Sequence, residues 1–276
     1  MPNEHKQTRY TTGISLARIA ALITRHWYLY KSSWPRIIEL VYWPTLQMLM
    51  WGFLQSFLIA RTELFAQAGG ILLGGVLLWD VLMRSQFGLS ISFMEEMWSR
   101  NLGHLMVSPL KPIELLLGLI SLSILRTLAG IVPVSLLAIW FFGFNIYEVG
   151  LMLGVFFLNL VLTGWAIGLL VSGLILRNGR GAQGLAWSIV FLLLPITCVY
   201  YPLETLPSWL QPISLMLAPT YVFEGMRSIL IDQTVRYDFA LKALGLNALY
   251  ISAGIAAFFW FYRDARQRGS LLQTGE

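Results

Sequence analysis

The chain contains six apolar segments, each about as long as a helix that crosses a membrane. They cover residues 37–60, 70–93, 113–142, 147–176, 183–201 and 243–262. A membrane-crossing helix needs roughly 20 mostly apolar residues. In addition, 12% of the 276 residues are charged, whereas soluble domains carry about 25%, so most of the surface cannot face water. The sequence therefore predicts an all-α membrane protein with six transmembrane helices.

The Lys and Arg residues outside these segments are distributed unequally between the two sides of the membrane. Thirteen fall in the amino-terminal segment, the loops after the second and fourth spans and the tail, and four fall in the other loops. Because basic residues favour the cytoplasmic side, both termini are predicted to be cytoplasmic. The expected organisation is a cytoplasmic segment at 1–36, a transmembrane domain at 37–262 and a cytoplasmic tail at 263–276. The net charge of +5 is then a topology signal, and no nucleic-acid partner is expected.

The amino-terminal segment predicts an amphipathic helix over residues 14–33. Apolar residues recur there at steps of three or four, at Leu16, Ile19, Ile23, Trp27 and Tyr30. Arg18 and Arg25 fall on the opposite face. Such a helix lies on the cytoplasmic leaflet among the lipids, with Trp27 at headgroup depth. It is either a basic anchor alone or an anchor that also contacts a partner.

The segment between the fifth and sixth spans is interrupted by prolines. They are Pro202, Pro207, Pro212 and Pro219. Each proline removes a backbone donor and disfavours a continuous helix. The sequence therefore predicts short re-entrant helices that enter the outer leaflet and return, shielded by protein.

The sequence carries no recognisable catalytic or metal site. None of its four lysines follows a glycine, so a phosphate-binding Gly-Lys-Ser/Thr loop is not present. The three histidines, His5, His26 and His104, are far apart, and Asp80 is the one aspartate within the spans. We therefore expect neither an enzyme nor a bound metal or cofactor on this chain. The single cysteine, Cys198, lies in an apolar stretch and is expected to be a small buried side chain.

Charged residues within spans are costly and often functional, which draws attention to Asp80, Arg84 and Arg126. Asp80 and Arg84 are four residues apart on one helical face. They either neutralise each other inside the bundle or line a cavity. Arg126 has no local partner, so it meets an acid on another span, a phosphate headgroup or an anionic substrate.

A polar stretch separates the second and third spans. It reads EEMWSRNLGHLMVSP over residues 95–109. A helix over 95–107 places Glu95, Glu96, Arg100 and His104 on a wetter side, and Ser108-Pro109 ends it. By physics alone this helix is either a connector lying on the membrane or a contact surface for a partner.

Two stretches resemble the type 2 ABC exporter permeases. One is RNLGHLMVSPLKPIELLLG at residues 100–118, with its Arg, Gly and Ser-Pro-Leu, and the other is PLETLPSWLQPISLMLAPTYVFEGMRSIL at residues 202–230. The likeness covers about residues 10–265. It implies a pathway formed by two permease copies, expected to be a homodimer, in the bacterial cytoplasmic membrane. It also implies two separate ABC ATPase subunits that carry the ATP and Mg.

The resemblance also implies roles for individual residues. The helix at 95–107 would be the coupling helix, contacting the ATPase through Glu96, Arg100, Gly103, His104 and Leu105. The amphipathic helix, with Arg18, Arg25 and Trp27, would be the interface helix. The external segment would help to close the exit through Leu206, Pro207, Glu224 and Arg227. The substrate would be amphipathic: a lipid, a saccharide-linked lipid, a polysaccharide or a drug-like molecule.

An ATP-independent secondary transporter is the alternative reading of the same segments. Such transporters often contain internal repeats and broken helices near the middle of the membrane. Residues 37–142 and 147–262 show no convincing repeat of each other. The sequence therefore favours the ATP-driven permease.

Overall fold

The computed structural model describes residues 13–60, 70–99, 108–179 and 183–267. Within these ranges the chain forms α-helices and two short 3-10 helices, Ile146–Val149 and Leu203–Thr205, and no strand. The α-helices are α1 (Leu16–Lys31), α2 (Trp34–Ile59), α3 (Ile71–Trp98), α4 (Pro112–Phe142), α5 (Leu151–Asn178), α6 (Gln183–Ile196), α7 (Gln211–Leu215), α8 (Ala218–Leu230) and α9 (Tyr237–Gln267).

Five of the described helices are long and apolar enough to cross a membrane. They are α2, α3, α4, α5 and α9, and each coincides with a predicted span. The remaining predicted span, 183–201, contains the 14-residue helix α6, which is about 21 Å long at the rise of an α-helix. This helix is shorter than the hydrocarbon core, roughly 30 Å thick. Pro195 lies in its last turn, where it has no backbone N–H to donate to the preceding turn.

Helix α3 is the centre of the bundle. In its most apolar stretch 78% of the residues are buried, compared with 17% in α2 and 22% in α9. It packs against α2, α4 and α5, and α5 packs in turn against α9. Helices α2 and α9 therefore present most of their apolar surface outward, as spans at the edge of a bundle do.

Helices α3 and α5 approach closely because α5 carries a glycine at their crossing. A Cβ atom added to Gly164 would lie 2.0 Å from the Oγ of Ser85 and 2.8 Å from the carbonyl oxygen of Leu82. Small residues allow such close packing between membrane helices. Gly164 therefore sets the distance between the two helices at the core.

A buried polar cluster joins α5 to α9. The Asn247 side-chain amide donates to the backbone oxygen and to the side-chain oxygen of Asn159, both at 2.9 Å. The Thr163 hydroxyl donates to the Asn247 side-chain oxygen at 2.7 Å. Because a buried amide without partners is costly, these bonds favour one register of α9 on α5.

The segment after α6 consists of short helices, as its prolines predict. The 3-10 turn is followed by α7 and α8, which have 5 and 13 residues, and Pro212 and Pro219 lie in the first turns of these two helices. Proline is well tolerated at this position because the first-turn amides have no intrahelical partner.

We expect Gly164→Ala to destabilise the protein, by about 1–3 kcal/mol, because the new methyl group overpacks the α3–α5 crossing. Gly154→Ala is the matched control on the same helix, since no atom lies within 4 Å of its added Cβ. Thermal unfolding of the purified protein in detergent measures both variants. Equal unfolding temperatures for the two variants would contradict the assigned crossing.

Candidate functional site

Helix α1 lies against the beginning of α4. A Cβ atom added to Gly118 of α4 would lie 2.5 Å from a Leu22 methyl carbon. The buried residues of α1 are Ile19, Leu22 and His26, whereas Trp27 is 64% exposed. The predicted apolar row is therefore only partly the packed face, because the protein contact is rotated toward Leu22 and His26 and leaves Trp27 outside.

The carboxylate of Glu114 fastens α1 to the start of α4. Its side chain is 0% exposed and lies 3.0 Å from the guanidinium of Arg18. It also accepts hydrogen bonds from the backbone amides of Ser15 at 2.7 Å and Lys111 at 2.9 Å. Arg18 donates in addition to the carbonyl oxygen of Pro109. One carboxylate thus caps its own helix and binds the amino-terminal end of α1.

The carboxylate of Glu96 fastens α1 to the end of α3. Arg25 donates to it at 2.7 Å, and the Nε2 atom of His26 lies 3.3 Å away. The Glu96 side chain is 2% exposed, so it does not lie on the wetter side of the helix as the amphipathic pattern predicted. Burial lowers the pKa of His26, while its bond to the Leu22 carbonyl and the nearby Glu96 carboxylate act in the opposite direction.

These residues form one structural unit, which we name the α1 clamp. It consists of Arg18, Arg25, His26, Glu96 and Glu114. Glu96 and Glu114 lie on either side of the connection between α3 and α4, so α1 bridges the two ends of that connection. The predicted coupling residues Arg100, Gly103, His104 and Leu105 belong to this connection and lie outside the described residues.

A cavity of about 460 Å³ lies on the α3 face between α2 and α6. We name it the membrane cavity. Residues of α3 form its floor, and residues of α2 and α6 form its walls. Tyr30 of α1 and Arg126 of α4 also line it. The cavity therefore collects side chains from α1 and from four helices of the bundle.

The predicted intramembrane charges meet in this cavity. The Arg84 Nε atom lies 2.5 Å from an Asp80 carboxylate oxygen, and both residues line the cavity. The Arg84 guanidinium packs over Gly130, where an added Cβ would lie 2.3 Å from its Nη1 atom. The two charges thus neutralise each other and also line a cavity. Both alternatives that the sequence left open therefore apply to this pair.

Arg126 finds an acid on another helix. Its Nη2 atom lies 3.4 Å from a carboxylate oxygen of Glu95 on α3. Its guanidinium also stacks over the Tyr30 ring of α1, 4.5 Å from the ring centre. This cation–π contact connects α1 to the cavity wall.

At the other end of the bundle, Arg227 links α8 to the segment that follows α6. Arg227 is 5% exposed and donates to the carbonyl oxygen of Cys198 at 2.8 Å and to Glu224 at 2.7 Å. Glu224 also accepts the backbone amide of Leu203 at 2.8 Å. Among the other predicted exit residues, Leu206 is buried and Pro207 is exposed. The predicted pair is therefore built into a buried junction.

Sequence reasoning missed three contributors to these sites. An acid three residues into a helix is a known capping signal, but nothing in the sequence indicates that Glu114 also binds α1. Arg36 and Glu39 line the membrane cavity from α2, but their spacing is equally typical of a solvated helix end. Only the arrangement of α2 on α3 brings them to the cavity.

We expect the double variant Glu96→Gln, Glu114→Gln to loosen α1 while leaving the bundle folded, because both ion pairs lose their anion. Amide hydrogen exchange of residues 16–31 should speed up by about tenfold or more, since charged hydrogen bonds are the stronger kind. Glu148→Gln, an exposed acid at the opposite end of the bundle, is the control. Unchanged exchange of α1 in the double variant would show that the α1 clamp does not hold it.

Comparison with known proteins identifies a family. The sequence model of the ABC-2 type transporter family matches residues 17–231, a region that runs from α1 to the end of α8. No curated protein matches the chain. Within the described residues no group of His, Cys, Asp and Glu could hold a metal ion. The chain belongs to the ABC-2 type transporter family and is a multi-pass membrane permease component of an ABC transporter, of the kind that associates with ABC ATPase subunits.

Proposed function

We propose that this permease is driven by ATP hydrolysis on two separate ATPase subunits and exports an amphipathic substrate. The observation that carries the proposal is the α1 clamp, which binds both ends of the α3–α4 connection to one rigid helix. Coupling requires that a displacement at the docking surface moves the spans rather than bending a loop. A connection held at both ends by ion pairs to buried carboxylates meets that requirement.

The two glutamates of the α1 clamp lie on different spans, and both spans contribute to the membrane cavity. Glu96 is near the end of α3, which forms the floor of the membrane cavity. Glu114 is near the start of α4, which carries Arg126 into the cavity wall. Removing one partner of a buried ion pair leaves an uncompensated charge, so the helices resist separation. An ATPase that moves the connection would therefore move α1, α3 and α4 together.

Within this proposal the docking residues divide into two groups. Arg100, Gly103, His104 and Leu105 would contact the ATPase directly. Glu96 is buried against α1, so its contribution would be to transmit the displacement to the interface helix. The exposed ring of Trp27 would lie among lipid headgroups.

The pathway would lie between two copies of the chain, with six spans in each copy and both termini in the cytoplasm of a bacterium. Large apolar side chains of α2 and α6 point away from the bundle, including Tyr42 and Phe53 on α2 and Leu192 on α6. This face is where we place the second copy. The junction of Arg227 with Glu224 would help to close the external side, together with Leu206 and Pro207.

We expect Arg100→Glu and Gly103→Pro each to weaken ATPase binding and its stimulation on the order of tenfold, because one reverses a contact charge and the other breaks the docking helix. The assay uses the ABC ATPase that co-purifies with the permease from native membranes. Arg266→Glu, an exposed charge near the end of α9, is the control.

Unchanged ATPase binding and stimulation in both variants would contradict the docking assignment. Transport that continues on an ion gradient without any co-purifying ATPase would instead support the secondary transporter. These two outcomes are separable because the first leaves ATP-driven transport intact.

A further inference from the structure

The membrane cavity is lined by equal numbers of cationic and anionic side chains. They are Arg36, Arg84 and Arg126, and Glu39, Asp80 and Glu95. Asp80 and Arg84 already neutralise each other at 2.5 Å. Beside the largely buried side chains of Asp80, Arg84 and Arg126, a ligand with a net charge would leave one sign unbalanced, and an unpaired charge there is costly. The lining therefore favours a ligand that carries both signs and no net charge.

Both signs retain unused binding capacity. A guanidinium has five N–H donors, and the buried Nε atom of Arg126 has no hydrogen-bond partner among the described residues. Its contact with Glu95, at 3.4 Å, is longer than the usual charged hydrogen bond of about 2.7–2.9 Å. The side chains of Arg36 and Glu39 are exposed, and neither side chain forms an ion pair or hydrogen bond with a described residue.

The cavity is polar on its floor and apolar at its mouth. Asp80 on the α3 floor is 7% exposed, whereas three aromatic residues of the walls are 46–60% exposed: Trp43, Trp187 and Phe191. Near the other end of the bundle the gap beside α2 is closed, because Trp51 stacks on Tyr200, which follows α6, with ring centres 4.2 Å apart. The mouth therefore opens sideways, toward the surface that faces lipid or the second copy.

We propose that the membrane cavity binds the headgroup of a zwitterionic amphiphile that carries a phosphate and a primary ammonium, as a phosphoethanolamine lipid does. The phosphate oxygens accept from Arg126 and Arg36, and the ammonium donates to Glu39 beside the Trp43 ring. The acyl chains leave through the mouth between α2 and α6. This names the substrate class of the proposed exporter, and it rests on that function for the step from binding to export.

Other headgroups satisfy the lining less well. An anionic headgroup would add negative charge beside Glu39 and Glu95. A cationic headgroup would add positive charge beside Arg36 and Arg126. A trimethylated ammonium carries no N–H to donate to Glu39. The combination of phosphate and primary ammonium matches the groups of both signs that lack partners.

Photo-crosslinking of the full chain tests the proposal. The protein is placed in phosphatidylcholine nanodiscs that contain a trace of phosphatidylethanolamine or phosphatidylglycerol with the same photoreactive acyl chains. We expect phosphatidylethanolamine to label peptides around Trp43 and Trp187 on the order of tenfold more strongly than phosphatidylglycerol, as a charged hydrogen bond to Glu39 would produce. Equal labelling by the two lipids, stronger labelling by phosphatidylglycerol, or labelling confined to other helices would overturn the proposal.

Variants with different expected effects on lipid labelling separate headgroup binding from a structural role of the same residues. Glu39→Gln removes a negative charge and should reverse the preference in favour of phosphatidylglycerol. Arg36→Gln and Arg126→Gln should reduce labelling by both lipids. Arg263→Gln, an exposed charge on the cytoplasmic part of α9, should change neither. A preference for phosphatidylethanolamine that survives Glu39→Gln would contradict the assignment, and so would labelling that neither Arg36→Gln nor Arg126→Gln reduces.

The lipid experiment contains no ATPase and no nucleotide, so it fails or succeeds independently of the proposed coupling. Loss of headgroup preference with intact ATPase stimulation would refute the headgroup site alone. Retained headgroup preference with no ATPase partner would refute the proposed function alone.

Discussion

Pairing of charges in an apolar chain is the constraint on which this structure depends. Charged residues make up 12% of the sequence, and those brought into the bundle are costly unless they meet a partner. The α1 clamp satisfies this constraint at one end of the bundle, where Glu96 and Glu114 bind arginines of α1. The position of α1 follows from these two contacts. Because the same helix borders the cavity through Tyr30, the charge pairs also shape the cavity.

The end of α3 links the two sites through neighbouring residues. Glu95 faces the membrane cavity and pairs with Arg126, while Glu96 faces α1 and pairs with Arg25. Successive residues of a helix point in directions about 100° apart, so one turn of α3 can serve both sides. A displacement of the α3–α4 connection would therefore move both contacts. Arg126 also contacts α1, because its guanidinium stacks over the Tyr30 ring.

Hydropathy alone was sufficient to predict the helical class and five spans of adequate length, because apolar length is a local property. The fifth predicted span was a harder case: its apolar run is long enough, but α6 ends at Ile196, one residue after Pro195. The periodic pattern of α1 located the helix but not its packed face, since Leu22 meets Gly118 only in the folded bundle. The burial of Glu96 and the assembly of the cavity depend on contacts between distant segments, which periodicity does not encode.

The central claim is that the α1 clamp transmits a displacement from the docked ATPase to the walls of the membrane cavity. Pulsed EPR tests it most directly, with spin labels at Tyr42 on α2 and Leu192 on α6, two exposed positions, in the permease–ATPase complex. We predict that a non-hydrolysable ATP analogue changes the distance between the labels, and that the change is lost when Glu96 and Glu114 are both replaced by Gln. The same nucleotide-dependent change in the variant and in the unaltered clamp would contradict the account.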